Sequence, residues 1–161
     1  PCRRLRPRRY PQDLIGIGKA QVDDRLPIQI VSTGLRSLHI PLKAISHFPD
    51  IKPLRSKVID LCREHELSTV QLFTLETEEA SAHAHARVFA PAVGVDEDPV
   101  TGTAAGALGA YVVRHGLKAE DKEGITRIVA LRGGELLALP PTGSAVMSGS
   151  VLPATVTWRA A

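Results

Sequence analysis

The stretch from Arg87 to Gly116, RVFAPAVGVDEDPVTGTAAGALGAYVVRHG, constrains the fold more than any other in the chain. It reads as a strand, an acidic turn and a helix. Pro99 disfavours the helical region for the residue before it, which puts Asp96, Glu97 and Asp98 in a turn ahead of the helix. Thr101 and Thr103 both suit the N-cap, and Gly116 follows Arg114 and His115 as a stop signal. Between Ala104 and Ala110 the helix carries little side-chain bulk, and its two glycines each weaken it by roughly 1 kcal/mol relative to alanine. Such a helix suits close cover by other backbone. The expectation is a central apolar helix from about Thr103 to His115, the most buried helix of the chain, enclosed by a sheet.

The start of that helix offers free N–H groups, two hydroxyls and a partial positive charge, which together favour an anion. Asp98 adds a carboxylate beside it. Polar groups converging in this way suit a binding or catalytic site. The plainer alternative is a buried helix whose threonines only cap it.

From Leu26 onward the rest of the chain alternates. Residues 28–34 read as one strand and residues 37–42 as a second, with Leu38, Ile40 and Leu42 on one face, close enough for a hairpin. Residues 45–53 form a loop punctuated by Pro49 and Pro53. Leu54, Val58, Leu61 and Cys62 then mark an amphipathic helix ending near His65 and Glu66. Strands follow at 69–75, 82–90 and 125–131, with shorter ones at 135–139, 145–147 and 155–158. Strands outnumber helices and the connections are short. The class is therefore α+β, with a mostly antiparallel, barrel-like sheet around the central helix.

Several function classes fall away on composition and spacing. Arg3, Arg4, Arg6, Arg8 and Arg9 carry more than the whole net charge of +3, so the remainder is net acidic. A nucleic-acid arm would need a matching basic patch in the body, and none is visible. Residues 1–20 are expected to be a basic, poorly ordered tail and residues 21–161 a single domain. No apolar run reaches the about 18 residues of a membrane span, and no signal peptide is evident. Cys2 and Cys62 make no disulfide framework, which favours a reducing, cytoplasmic setting. His83 and His85 share a strand face, but a third ligand is not evident and Arg87 follows on that face, so no metal site is expected. His39, His47, His65 and His115 read as scattered surface histidines. Gly16-Ile17-Gly18 lacks the third glycine of a dinucleotide fingerprint, and the Gly102–Gly106 stretch lacks the Gly-Lys pair of a phosphate loop.

The run Glu97-Asp98-Pro99-Val100-Thr101-Gly102, followed by a small hydroxyl residue and an Ala/Gly-rich helix, resembles the signature of the phenazine-biosynthesis PhzF family. The resemblance takes in Phe89-Ala90-Pro91 and extends back through Leu26–Gly34, LPIQIVSTG. It implies the diaminopimelate epimerase-like fold, in which two similar halves, each a barrel around a central helix, hold the active site between them. It also implies a cofactor-independent isomerase that moves a proton on a small carboxylate-bearing substrate. Asp98 would hold a polar substrate group or relay a proton. Thr101, Gly102 and Thr103 would bind the substrate, with Gly102 and Thr103 receiving its carboxylate or the developing oxyanion. Family members usually carry serine at the place of Thr103, so the extra methyl narrows the pocket. The family's acid/base glutamate and its Gly-His motif belong to the N-terminal half, and no counterpart precedes residue 27. The chain is therefore expected to be the C-terminal half alone, inactive as an isomerase by itself. It is expected to pair with a second copy or a separate N-terminal half through apolar surface around Phe89, Pro91 and Val93. The other class of reading is a non-catalytic domain that binds anions or another protein.

Overall fold

A computed structural model describes residues 3–4, 12–78, 80, 82–98, 101–117, 125–132 and 154–159, with side chains described within 14–78, 80, 82–98 and 101–117. The strands are β1 (Arg3–Arg4), β2 (Gln29–Ser32), β3 (Arg36–Pro41), β4 (Thr69–Thr74), β5 (Ala84–Ala90), β6 (Val95–Asp98), β7 (Ile125–Arg132) and β8 (Ala154–Arg159). The helices are α1 (Gln12–Ile15), α2 (Arg55–His65) and α3 (Gly102–Arg114). Short 3-10 turns occupy Lys19–Gln21, Ile45–Asp50 and Pro91–Val93. The strands form one sheet in the order β1-β2-β3-β4-β5-β7-β8, with β6 also paired to β5. No helix among the described residues is long and apolar enough to cross a membrane.

The α+β class holds, but the sheet is open and mixed. It is not a closed barrel: β1 and β8 stand at the two ends of the pairing order. Most neighbours are antiparallel, whereas β3 with β4 and β5 with β7 are parallel. Each parallel pair needs a crossover, and α2 and α3 supply them. Both crossovers step the same way along the sheet, but β5 runs against β3 because β4 and β5 are antiparallel. A right-handed crossover then requires α2 and α3 to lie on opposite faces. The packing agrees with this. Val58 and Cys62 of α2 join Ile30, Leu38, Ile40, Val70, Leu72 and Phe89 in one cluster. Ala107, Leu108, Tyr111 and Val112 of α3 join Val31, Phe73, Ala84 and Ala86 in the other.

The local chemistry explains the boundaries. The expected hairpin is β2 with β3, paired from Ser32 opposite Arg36, and its tip turns at Gly34 with φ +117°. Such a φ is open to glycine and strained for most other residues. Leu54 stands at the N-cap of α2 and is half exposed, so the apolar stripe begins at Val58. The helix ends on Glu66, left-handed at φ 54°, whose N–H reaches the carbonyls of Arg63 and Cys62. The loop expected at 45–53 contains a 3-10 turn that buries Phe48. Ile15 and Ile17 are buried in the α2-side core, so packed structure begins before residue 21. The expected segments at 118–124, 135–139 and 145–147 lie outside the described residues.

In α3, Ala104, Ala107 and Leu108 are at most 1 % exposed, and seven of its residues are buried. Leu108 and Val112 alone contribute about 1.5–3 kcal/mol each by leaving water. The helix lies against β2 and β3 and also against β7 and β8. The Tyr111 hydroxyl donates to the Pro27 carbonyl at 2.7 Å, fastening the helix to the segment that leads into β2. This orientation points the start of α3 at the hairpin tip.

Candidate functional site

The acidic run expected as a turn is a strand. Asp98 opposes Val88 and Val95 opposes Ala90, with an irregularity between them that leaves one extra residue on β6. A bulge of this kind redirects side chains locally. Each acid then meets a different group. Asp96 pairs with Arg55 at the start of α2 at 2.7 Å, both largely exposed. Glu97 takes a two-pronged pair from Arg87 of β5, Nε to Oε1 and Nη2 to Oε2, both 2.8 Å. Arg87 also donates through Nη1 to the carbonyls of Phe48 and Ile51, and its guanidinium lies 5.1 Å from the centre of the Phe89 ring.

Asp98 reaches the helix start. Its Oδ2 accepts a hydrogen bond from the Thr101 hydroxyl at 2.5 Å. Thr101 occupies the N-cap position with extended backbone, and its carbonyl accepts the Ala105 N–H, but its hydroxyl makes no cap bond. Gly102 and Thr103 follow on an exposed first turn. A side chain at Gly102 would meet nothing within 4 Å. The structure thus brings Asp98 and Thr101 into contact and sets Gly102 and Thr103 beside them at the opening. Pro99 and Val100 lie outside the described residues.

Two contributors escaped sequence reasoning. The Thr33 hydroxyl, at the β2–β3 tip, donates to the Thr103 carbonyl at 3.3 Å, so the hairpin tip touches the first turn of the helix. Leu35, two residues on from Thr33, is 52 % exposed. Arg87 is the other, known beforehand only as a charge beside two histidines. A Thr-Gly pair at a hairpin tip was the available signal for the first, and an arginine on a strand feeding an acidic run for the second.

Three further titratable groups, His39, Cys62 and His85, lie in the interior. His85 is buried, its ring edge-on to Phe48 at 4.5 Å, and burial depresses its pKa. Among the described residues no group of three metal-binding side chains converges. His39, read from sequence as a surface histidine, is fully buried between Phe73 and Tyr111, and burial pushes its pKa down to about 3. His115 is half-buried rather than free on the surface: its Nε2 is 2.7 Å from Oε1 of buried Gln29. Burial raises the Cys62 thiol to about 11, which makes it inert as a thiolate. Phe89 and Pro91 are buried, so the exposed apolar groups near β6 are Val93 and Val95 instead.

A family model described as phenazine biosynthesis-like protein, PhzC-PhzF, matches residues 6–138. An uncharacterized isomerase of Clostridium acetobutylicum is 36 % identical over 107 residues, covering 66 % of this chain and 35 % of the relative. An uncharacterized isomerase of Bacillus subtilis is 37 % identical over 109 residues, covering 65 % of this chain and 36 % of the relative. The crystal structure of the Bacillus anthracis phenazine biosynthesis protein, PhzF family, superposes with a TM-score of 0.63 at 30 % identity, over 73 % of this chain and 39 % of that one. The chain spans about a third of the length of the curated relatives it matches.

Proposed function

The chain belongs to the PhzC-PhzF family of phenazine biosynthesis-like proteins, and from that premise we propose that it supplies one wall of a cofactor-independent isomerase site. The relatives named as isomerases support the reaction class. The observation that carries the site is the Asp98–Thr101 hydrogen bond. It draws the Thr101 hydroxyl away from capping, and the exposed Gly102–Thr103 turn that opens α3 stands beside a carboxylate.

Moving a proton on carbon requires a base near the C–H bond and donors for the enolate-like charge that forms. Gly102 and Thr103 receive the substrate carboxylate or that developing charge, and Asp98 orients a polar substrate group or relays a proton. Leu35 and the Thr33 tip border the substrate on the other side. Asp98 repels the anion it sits beside, so affinity for a simple carboxylate is weak. Contacts of α3 with β2 and β3 and with β7 and β8 support a sheet that curls about it without closing. A cytoplasmic setting belongs to the same reading.

An acid/base group on a facing wall completes the site, contributed by the half of the fold that residues 1–161 do not supply. General acid–base assistance is worth about 10²–10⁴-fold, so this chain by itself does not isomerise. Titration with small aromatic carboxylates, followed by backbone amide shifts, is expected to move Gly102 and Thr103 at millimolar ligand. Deuterium exchange into a dihydro-hydroxyanthranilate-type substrate is expected only when the other half is added. Unmoved amides would overturn the site. Exchange by this chain alone, lost in Asp98→Asn, would overturn the half-site reading, and binding without exchange in either case would leave an anion-binding domain.

A further inference from the structure

Three consecutive acids, Asp96, Glu97 and Asp98, occupy a strand that holds its neighbour by little backbone pairing. Val88 opposite Asp98 and Ala90 opposite Val95 are its registered partners, with a shift between them. Side chains on a strand alternate between faces outside a bulge, so a slip that set Glu97 opposite Val88 would carry Glu97 to the face Asp98 now holds. In the observed register Asp98 shares the face of Val88 and meets Thr101. Glu97 lies on the opposite face with Arg87 and Phe89. A slip would present Glu97 to the helix start, and the sequence itself does little to forbid it, because the replacement is also an acid.

We propose that Arg87 is a positioning residue that pins β6 in the register where Asp98, and not Glu97, reaches the start of α3. This rests on the functional reading of that helix start given above. The pin has the properties the task needs. Its fork grips both Glu97 oxygens, a geometry that fixes orientation as well as distance. Its remaining nitrogen is held by the Phe48 and Ile51 carbonyls, so the fork is itself immobilised from outside the β5–β6 pair. The Arg87 and Glu97 side chains are only 18 % and 27 % exposed, which shields the pair from solvent. By contrast the Arg55–Asp96 pair, 59 % and 74 % exposed, is a weak restraint on register.

Arg87→Lys keeps the charge but cannot reproduce the fork, and Glu97→Gln keeps the shape but removes the charge. In the unaltered chain, nuclear magnetic resonance is expected to show one set of β6 signals and a cross-strand contact between Val88 and Asp98. In either variant the Asp96–Asp98 and Thr101 amides are expected to double or broaden, with loss of that contact, while Ile40 and Leu72 methyl signals stay in place. Unchanged β6 signals and an intact Val88–Asp98 contact in both variants would overturn the pin. Carboxylate titration separates the pin from the site it serves. If the unaltered chain shows no shift at Gly102 and Thr103, the site reading fails and the register result alone judges the pin. If the unaltered chain and Arg87→Lys bind equally well, the positioning role is overturned even where β6 has loosened.

Discussion

His39 carries both imidazole nitrogens into the interior without a hydrogen-bond partner, among Phe73, Tyr111 and the in-register glutamines Gln29 and Gln71. The neutral ring tolerates this site far better than the charged one, which holds the folded pKa near 3 against the ordinary 6.5. Between those values the unfolded chain binds the extra proton and the folded chain does not. His39 therefore supports full stability above about pH 6.5 and withdraws it as pH falls, by up to about 1.4 kcal/mol per unit. His85, depressed chiefly by burial, acts in the same direction. Urea unfolding at pH 7, 5 and 4 is expected to show a shallower acid loss for His39→Leu than for the unaltered chain, and equal slopes would exclude His39 as the group. The sequence hid this residue because Leu38, Ile40 and Leu42 already defined an inner face. The other face of β3 is covered as well, by α3, and alternation alone cannot reveal a second cover. Cys62 was easier, standing on a visible apolar stripe. In a Cys2→Ser background its thiol, raised to about 11, is expected to label at pH 8 only as fast as the fold opens, and immediate labelling would contradict its burial.

At the level of elements, α3 was legible nearly to the residue, because a run of alanine and glycine between a proline and a terminal glycine leaves few alternatives. Its close cover is less strict than the composition suggests. A methyl built on Gly106 would lie 3.7 Å from the Thr33 hydroxyl oxygen, an ordinary contact. Gly106→Ala is therefore expected to raise stability by about 0.5–1 kcal/mol through helix propensity, read as a higher urea midpoint at unchanged slope. A lower midpoint would mean that the hairpin tip cannot accommodate the methyl. β6 was misread for a definable reason: Pro99 bars Asp98 from helix but is fully compatible with strand, and the deciding partner, β5, is set by tertiary pairing. The same limit hid the parallel pairs β3–β4 and β5–β7. Nothing in a local pattern distinguishes a strand that will meet its predecessor from one that will meet a strand beyond a crossover.

For the molecule as a whole, a short motif was enough to identify the family, while the partners of Asp98 and the role of Arg87 needed coordinates. The surface expected to carry an interface has to be redrawn. With Phe89 and Pro91 buried, the exposed apolar groups among the described residues include Val93 at 63 %, Val95 at 44 % and Leu54 at 50 %. Sedimentation at micromolar concentration is expected to show self-association that weakens in Val93→Ser, and a monodisperse monomer would remove the claim. One consequence of the placement of α3 concerns how the chain is made. The helix rests on β2 and β3, which leave the ribosome before it, and on β7 and β8, which leave after it. About 45 residues separate Arg114 from the end of β8, and at roughly 5–20 residues per second they take some 2–9 seconds to synthesise. Throughout that interval the most apolar helix among the described residues waits half-covered, and it is in those seconds that a chaperone would find its client.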